Sequence, residues 1–188
     1  MLQAAGFAQS YRRRDLDHEQ MVHVRDEVTW TLQRHDPYPA LAVDRHWTLV
    51  MANKSATMLL ASANIHVGDS MLEAAINSDE LGDSIVNWPD VARHIHTRLR
   101  TESAYLGGDP ILDAAAEKLA IEIQPLRDTD LLPAIVPTTY RAGNLELSLF
   151  STISQFGTAE DIALADLKIE LMFPADDATR EMLLAQAA

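Results

Sequence analysis

Hydrophobic and polar positions alternate twice between Ala40 and Ala52. Leu41 and Val43 are interleaved with Ala40, Ala42 and Asp44; past Arg45 and His46, Trp47, Leu49 and Met51 are interleaved with Thr48, Val50 and Ala52. Period two on both sides of a tight turn predicts a β-hairpin. It assigns Leu41, Val43, Leu49 and Met51 to a covered face and Asp44, Arg45 and His46 to an exposed turn. Asn53 follows, placed to cap a short helix over KSATMLLAS, because its side-chain oxygen can accept from free backbone amides. Upstream, residues 16–35 carry Met21, Val24, Val28 and Leu32 at three- and four-residue steps, the period of a helix with one apolar face. Asp17 and Gln20 form a capping-box pattern at its start, and Pro37 and Pro39 end it.

The middle of the chain reads as helices. SMLEAAINS and DELGDSIVNW follow Gly68. Residues 89–106 open on Pro89, where a missing N–H costs least, place Val91, Ile95 and Leu99 on one face, and stop at Gly107 and Gly108. Residues 111–123 form another helix with Leu112, Ala115, Leu119 and Ile123 inward. Strands return with AIVPTTYR and LELSLFSTIS around the turn residues Ala142, Gly143 and Asn144. In ALADLKIELMF, Leu167, Ile169 and Leu171 alternate with Asp166, Lys168 and Glu170, as in a sheet covered on one face. A last helix starts at Asp176 or Asp177. Hairpin-linked strands with helices gathered between them predict an α+β fold, not a doubly wound parallel sheet.

Composition narrows the possibilities. The chain has 188 residues, 47% of them hydrophobic and 23% charged, which suits one globular domain with a short appendage. No apolar run approaches a membrane span, and the start lacks the order of a signal peptide, so a cytoplasmic protein with no membrane partner is expected. With no cysteine there is neither a disulfide framework nor a cysteine-based zinc site. A net charge of −13 repels polyanions. Arg12, Arg13 and Arg14 form the one basic cluster, which reads as a solvated linker.

Catalytic and metal patterns fail on spacing. His18 and His23 are five residues apart, about 140° round a helix, where a zincin helix needs four. His94 and His96 are two apart and do not face each other on a helix. Ser70 follows glycine but lacks a nucleophile elbow, and no Walker A or G-x-G-x-x-G loop is present. Nothing asks for a cofactor or a metal, and no enzyme activity is expected. The apolar inner faces read first as core packing, although a sheet crossed by helices can also enclose an apolar cavity with a few orienting polar groups. Met51, Met58 and Met71 would suit an adaptable wall.

Three segments in order, PYPALAVDRHWTLVMAN (37–53), NWPDVARHIHTRLR (87–100) and SQFGTAEDIALADLKIELMFPAD (154–176), give the chain a family likeness. It resembles the C-terminal ligand-binding domain of MmyB-like transcription regulators, bacterial proteins of the Xre helix-turn-helix group. The resemblance implies a PAS-like fold: a five-stranded antiparallel sheet with helices packed on one face. It also implies an N-terminal helix-turn-helix that binds DNA, and a pocket for a small apolar, fatty-acid-like ligand. The five strands counted above, with helices inserted after the second, agree with that order. The helix-turn-helix is absent here. Residues 1–15 are expected to be the remnant of its last helix and a connector, in a truncated or a naturally short version, and residues 16–188 the PAS-like domain.

The expected function is ligand sensing within a transcription regulator, by a shift of population that the first helix relays. A homodimer would match two operator half-sites. The alternative is a PAS-like dimerisation or protein-interaction module with a packed core and no ligand. The expected pocket wall is Leu41, Val43, Leu49, Met58, Ile95, Leu99, Leu147, Leu149 and Ile169. For a carboxylate head the cationic candidates are Arg98 and Arg100, with Asn87 and His94 as polar alternatives. Trp88 is expected to anchor packing.

Overall fold

The computed structural model describes residues 22–77, 83–121, 123, 135–142, 145–156 and 166–186. The expected connector, the capping box at Asp17 and Gln20, His18, the arginine cluster, residues 78–82 of an expected helix, and Gly143 and Asn144 lie outside the described residues. The elements run α1 (Val22–Arg34), β1 (Ala40–Val43), β2 (Leu49–Ala52), α2 (Lys54–Ala61), α3 (Met71–Asn77), α4 (Trp88–Tyr105), α5 (Pro110–Ala120), β3 (Thr138–Ala142), β4 (Leu145–Ser154), β5 (Lys168–Pro174) and α6 (Asp177–Gln186).

All five strands join one antiparallel sheet in the order β2-β1-β5-β4-β3. The fold is α+β, as the alternation predicts. Leu41, Val43, Leu49, Leu147, Leu149 and Met172 form a core on one face with Ala56 and Leu60 of α2 and Leu183 of α6. On the opposite face, Ala40, Ala42 and Ile169 pack against Val28 and Leu32 of α1. A third cluster joins Leu72 of α3, Ala92 and Leu99 of α4, and Leu112, Ala115, Ala116 and Leu119 of α5.

Met51 departs from the hairpin pattern. A bulge between Ala42 and Val43 pairs Val43 with Leu49 but Ala42 with Met51. One extra residue turns the side chains that follow to the other face. Met51 therefore packs with the α1 cluster, not with Leu41 and Val43. Trp47 is not part of β2 either; it sits in the turn with φ 63°, a left-handed conformation uncommon for a bulky residue.

The helix ends follow the capping chemistry. Asn53 Oδ1 accepts from Ala56 N at 2.9 Å to start α2. Asp109 Oδ1 accepts from Ile111 N and Leu112 N to start α5. Asp176, not Asp177, caps α6, its Oδ1 accepting from Thr179 N at 2.7 Å. Ser70 Oγ accepts from Glu73 N at the start of α3, a structural task for that serine. Gly107 and Gly108 both take positive φ just past α4, and Gly108 N closes on Ser103 O at 2.9 Å.

Candidate functional site

α4 crosses the core face of the sheet with two different stripes. Ala92 and Leu99, with Ile95 beside them, pack into the helical cluster with α3 and α5. His94, Arg98 and Glu102, one turn apart from one another, face the sheet. Glu102 is the hub: its Oε2 accepts from Lys168 Nζ at 2.9 Å and from Trp47 Nε1 at 3.0 Å, while Oε1 accepts from Arg98 Nε at 2.8 Å. The Trp47 ring carries Lys168 Nζ at 4.1 Å and the Arg98 guanidinium at 4.9 Å from its centroid. Each cation thus meets both a carboxylate and an aromatic face.

Burial and charge set the ionisation of this strip. Burial alone would raise the Glu102 carboxyl, but the charge of Lys168 and hydrogen bonds from Lys168, Arg98 and Trp47 hold it below its ordinary value. Burial lowers Lys168 against the opposing pull of Glu102. Partial burial and then the Arg98 charge lower His94, so at neutral pH it is an uncharged hydrogen-bonding ring. Burial, followed by the Glu170 charge, pushes Tyr140 far above its ordinary value; its hydroxyl stays protonated.

Next to the strip, the β1–β2 turn is clasped from the helical side. Asp109 Oδ2 lies 3.0 Å from Arg45 Nη2 and 3.1 Å from His46 Nε2. The turn expected to be exposed is therefore half-buried and tied to the N-terminus of α5. Burial would raise Asp109, but hydrogen bonds from His46, Leu112 N and Ile111 N hold its carboxyl low.

Two cavities contain expected site residues. One, of about 240 Å³, is lined by Asn87, Asp90, Arg93, His94, Thr97, Val136 and Pro137. The other, of about 160 Å³, lies at the β3–β4 end of the core face between α2 and α6. Met58, Leu59, Leu147, Leu149 and Leu183 give it apolar walls, and Tyr140, Arg141 and three serines also line it.

The expected wall residues are thus divided. Met58, Leu147 and Leu149 line the second cavity, and Leu41, Val43 and Leu49 share their core cluster. Ile95 and Leu99 belong to the helical cluster, because the α4 stripe that carries them faces other helices. Ile169 lies on the opposite face, paired with Ala42 and covered by α1, since the β5 side chains on the core face are Lys168, Glu170 and Met172.

The polar candidates divide as well. Asn87 and His94 line the first cavity, but both ends of the Asn87 amide are engaged, donating to Pro137 O at 2.8 Å and accepting from Thr139 N at 3.0 Å. Arg98 faces the sheet, already bonded to Glu102. Arg100 points away, on the surface with Asp113 at 3.1 Å. The sequence reading missed Lys168, 5% exposed, whose place in a clean alternation marked it as a wet-face residue. It also missed Arg141. No group of histidines and carboxylates placed to hold a metal occurs among the described residues, and no described helix is long and apolar enough to cross a membrane.

An antiparallel sheet whose core face is roofed by helices is an α+β architecture and not a doubly wound one. The chain belongs to the MmyB-like transcription regulator ligand-binding domain family, whose model matches residues 24–185. No curated protein matches the chain in sequence. Among solved structures, the PAS domain from Bordetella pertussis BvgS is similar over 87% of this chain and 94% of that one, at 13% identity and a TM-score of 0.39.

Proposed function

We propose that this domain senses a small apolar, fatty-acid-like molecule inside a bacterial, cytoplasmic transcription regulator, and that it works without catalysis. The observation that carries the reading is the apolar cavity walled by Met58, Leu147, Leu149 and Leu183 in a domain of a ligand-binding family. DNA contact would belong to a helix-turn-helix outside the described residues. The signal would pass through α1, which has two direct ties to the sheet region. His35, just after α1, places Nε2 2.7 Å from Met172 O, and Asn53 Nδ2 donates to Leu32 O at 3.2 Å. A ligand that favours one packing of the core face would shift α1 only through a difference in affinity between the two packings. A homodimer would present two such domains to paired half-sites.

One observation favours the competing reading of a packed interaction module. Leu41, Val43 and Leu49 are almost fully buried by protein alone. Native mass spectrometry of freshly purified protein, followed by solvent extraction, separates the two. The sensing reading expects a co-purifying acid or a thermal shift with a panel of acids. Bare protein mass together with a flat thermal response across the panel would leave the interaction module in its place.

A further inference from the structure

Six described cations of this acidic chain are matched to carboxylates. Arg45, Arg93, Arg98, Arg100, Lys168 and Arg180 each lie within ion-pair distance of an Asp or Glu. Arg141 differs. Among the described residues it is the only cation lining the apolar cavity of about 160 Å³, and its Nη1 donates to the carbonyl of Asp83 at 3.3 Å. Glu146 stands opposite it in the β3–β4 register, yet the two form no ion pair among the described residues. A guanidinium has five donors in a planar fork, so one long bond to a carbonyl leaves it able to grip a carboxylate with two.

We propose that this cavity binds a compact carboxylic acid, its apolar part against Met58, Leu147, Leu149 and Leu183 and its carboxylate on the Arg141 guanidinium. The proposal rests on the ligand-sensing reading above and sharpens it in two respects. It moves the anionic anchor from α4 to the edge strand β3. It also limits the size of the guest. A cavity of about 150 Å³ holds a benzene-sized group, so this one accommodates an apolar part of up to about eight non-hydrogen atoms. Tyr140, which also lines the cavity, keeps its proton and can donate to the guest without repelling an anion. Ser55, Ser62 and Ser84 supply further hydroxyls around the cavity.

The test is isothermal titration of the full chain with hexanoate, phenylacetate, decanoate, tetradecanoate and the neutral analogue hexanol. Hexanoate and phenylacetate should bind more tightly than tetradecanoate. Arg141→Gln should weaken both acids by about tenfold to a hundredfold, the worth of a charge-assisted bond, and leave hexanol unchanged. Arg100→Gln should change neither. Met58→Trp, at a position 57% exposed and so tolerant of bulk, should fill the mouth and weaken acids and alcohol alike. Glu146→Gln should tighten the acids by removing a nearby negative charge. Acid binding that ignores both Arg141→Gln and Met58→Trp would overturn this assignment while leaving the sensing reading intact. Affinity that keeps rising to tetradecanoate would overturn the size limit. Wild-type protein that takes up no acid and no alcohol would sink the sensing reading itself, and this one with it.

Discussion

Replacing Asn53 with alanine should be among the most damaging single changes in the domain. The side chain is 4% exposed and makes four hydrogen bonds to backbone. Oδ1 accepts from Ala40 N at 3.0 Å and Ala56 N at 2.9 Å; Nδ2 donates to Tyr38 O at 2.8 Å and Leu32 O at 3.2 Å. Leu32 O keeps a second partner in His35 N, so three groups lose the partner named here. A buried polar group left unmatched costs about 1–3 kcal/mol. Allowing for water reaching the start of α2, the loss should be about 3–5 kcal/mol, against about 1 kcal/mol for a helix cap alone. In a domain of this size that corresponds to a fall in Tm of about 6–20 °C. Urea unfolding and calorimetry measure it. Asn53→Asp separates the roles, since it keeps both acceptors but turns an anion toward two carbonyls; it should also lose more than about 1 kcal/mol. If Asn53→Ala costs no more than a cap, or Asn53→Asp unfolds like wild type, the account of Asn53 as a four-way joint is wrong.

Three further outcomes follow from the charged pairs. Glu102→Ala strands Lys168 as a buried cation and should cost about 3 kcal/mol, much of it regained in the Glu102→Ala/Lys168→Met double variant; denaturation of all three proteins in parallel decides this. Asp109 and Glu102 have folded-state values below their unfolded ones, so their stabilisation is present above the ordinary carboxylate range and is lost as pH falls through the lowered folded values. A stability profile from pH 7 downward should decline, and Asp109→Asn should flatten it; an unchanged slope would mean that the clasp on Arg45 and His46 contributes nothing. Arg100→Ala should cost under about 1 kcal/mol, as for any exposed pair, and a larger effect in urea titration would contradict its surface placement.

The order of elements was legible because each strand and helix keeps its own period. Leu145, Leu147 and Leu149 show period two, and Asn53 and Gly107 mark ends that local chemistry determines. What escaped was decided by contacts remote in sequence. The bulge at Ala42–Val43 adds a single residue to one side of a pair, which no alternation reveals, so the alternation alone puts Met51 on the wrong face. Lys168 looked solvated because its partner Glu102 lies 66 residues away. On α4 the apolar period marks a buried stripe, but an apolar stripe does not say what covers it. Here it is other helices, and the charged stripe meets the sheet. Arg141 carried no sequence signal at all: its interest arises from a cavity and from the lack of an ion pair among the described residues, both properties of three-dimensional neighbours.

The margins of the sheet bear on how copies of this chain can meet. Along β3, Val86 N bonds to Thr139 O at 2.8 Å, Ile85 bridges to Tyr140, and the Asn87 amide bonds to Pro137 O and Thr139 N. Along β2, Leu49 exchanges bonds with Asp69 O and Gly68 N, and Met71 N reaches Trp47 O. These short segments occupy backbone groups that would otherwise invite a strand from another molecule. Growth of the sheet from chain to chain, the route to fibres and sticky aggregates, is hindered where these segments lie. A contact through helices, in contrast, can close on itself and stop at two.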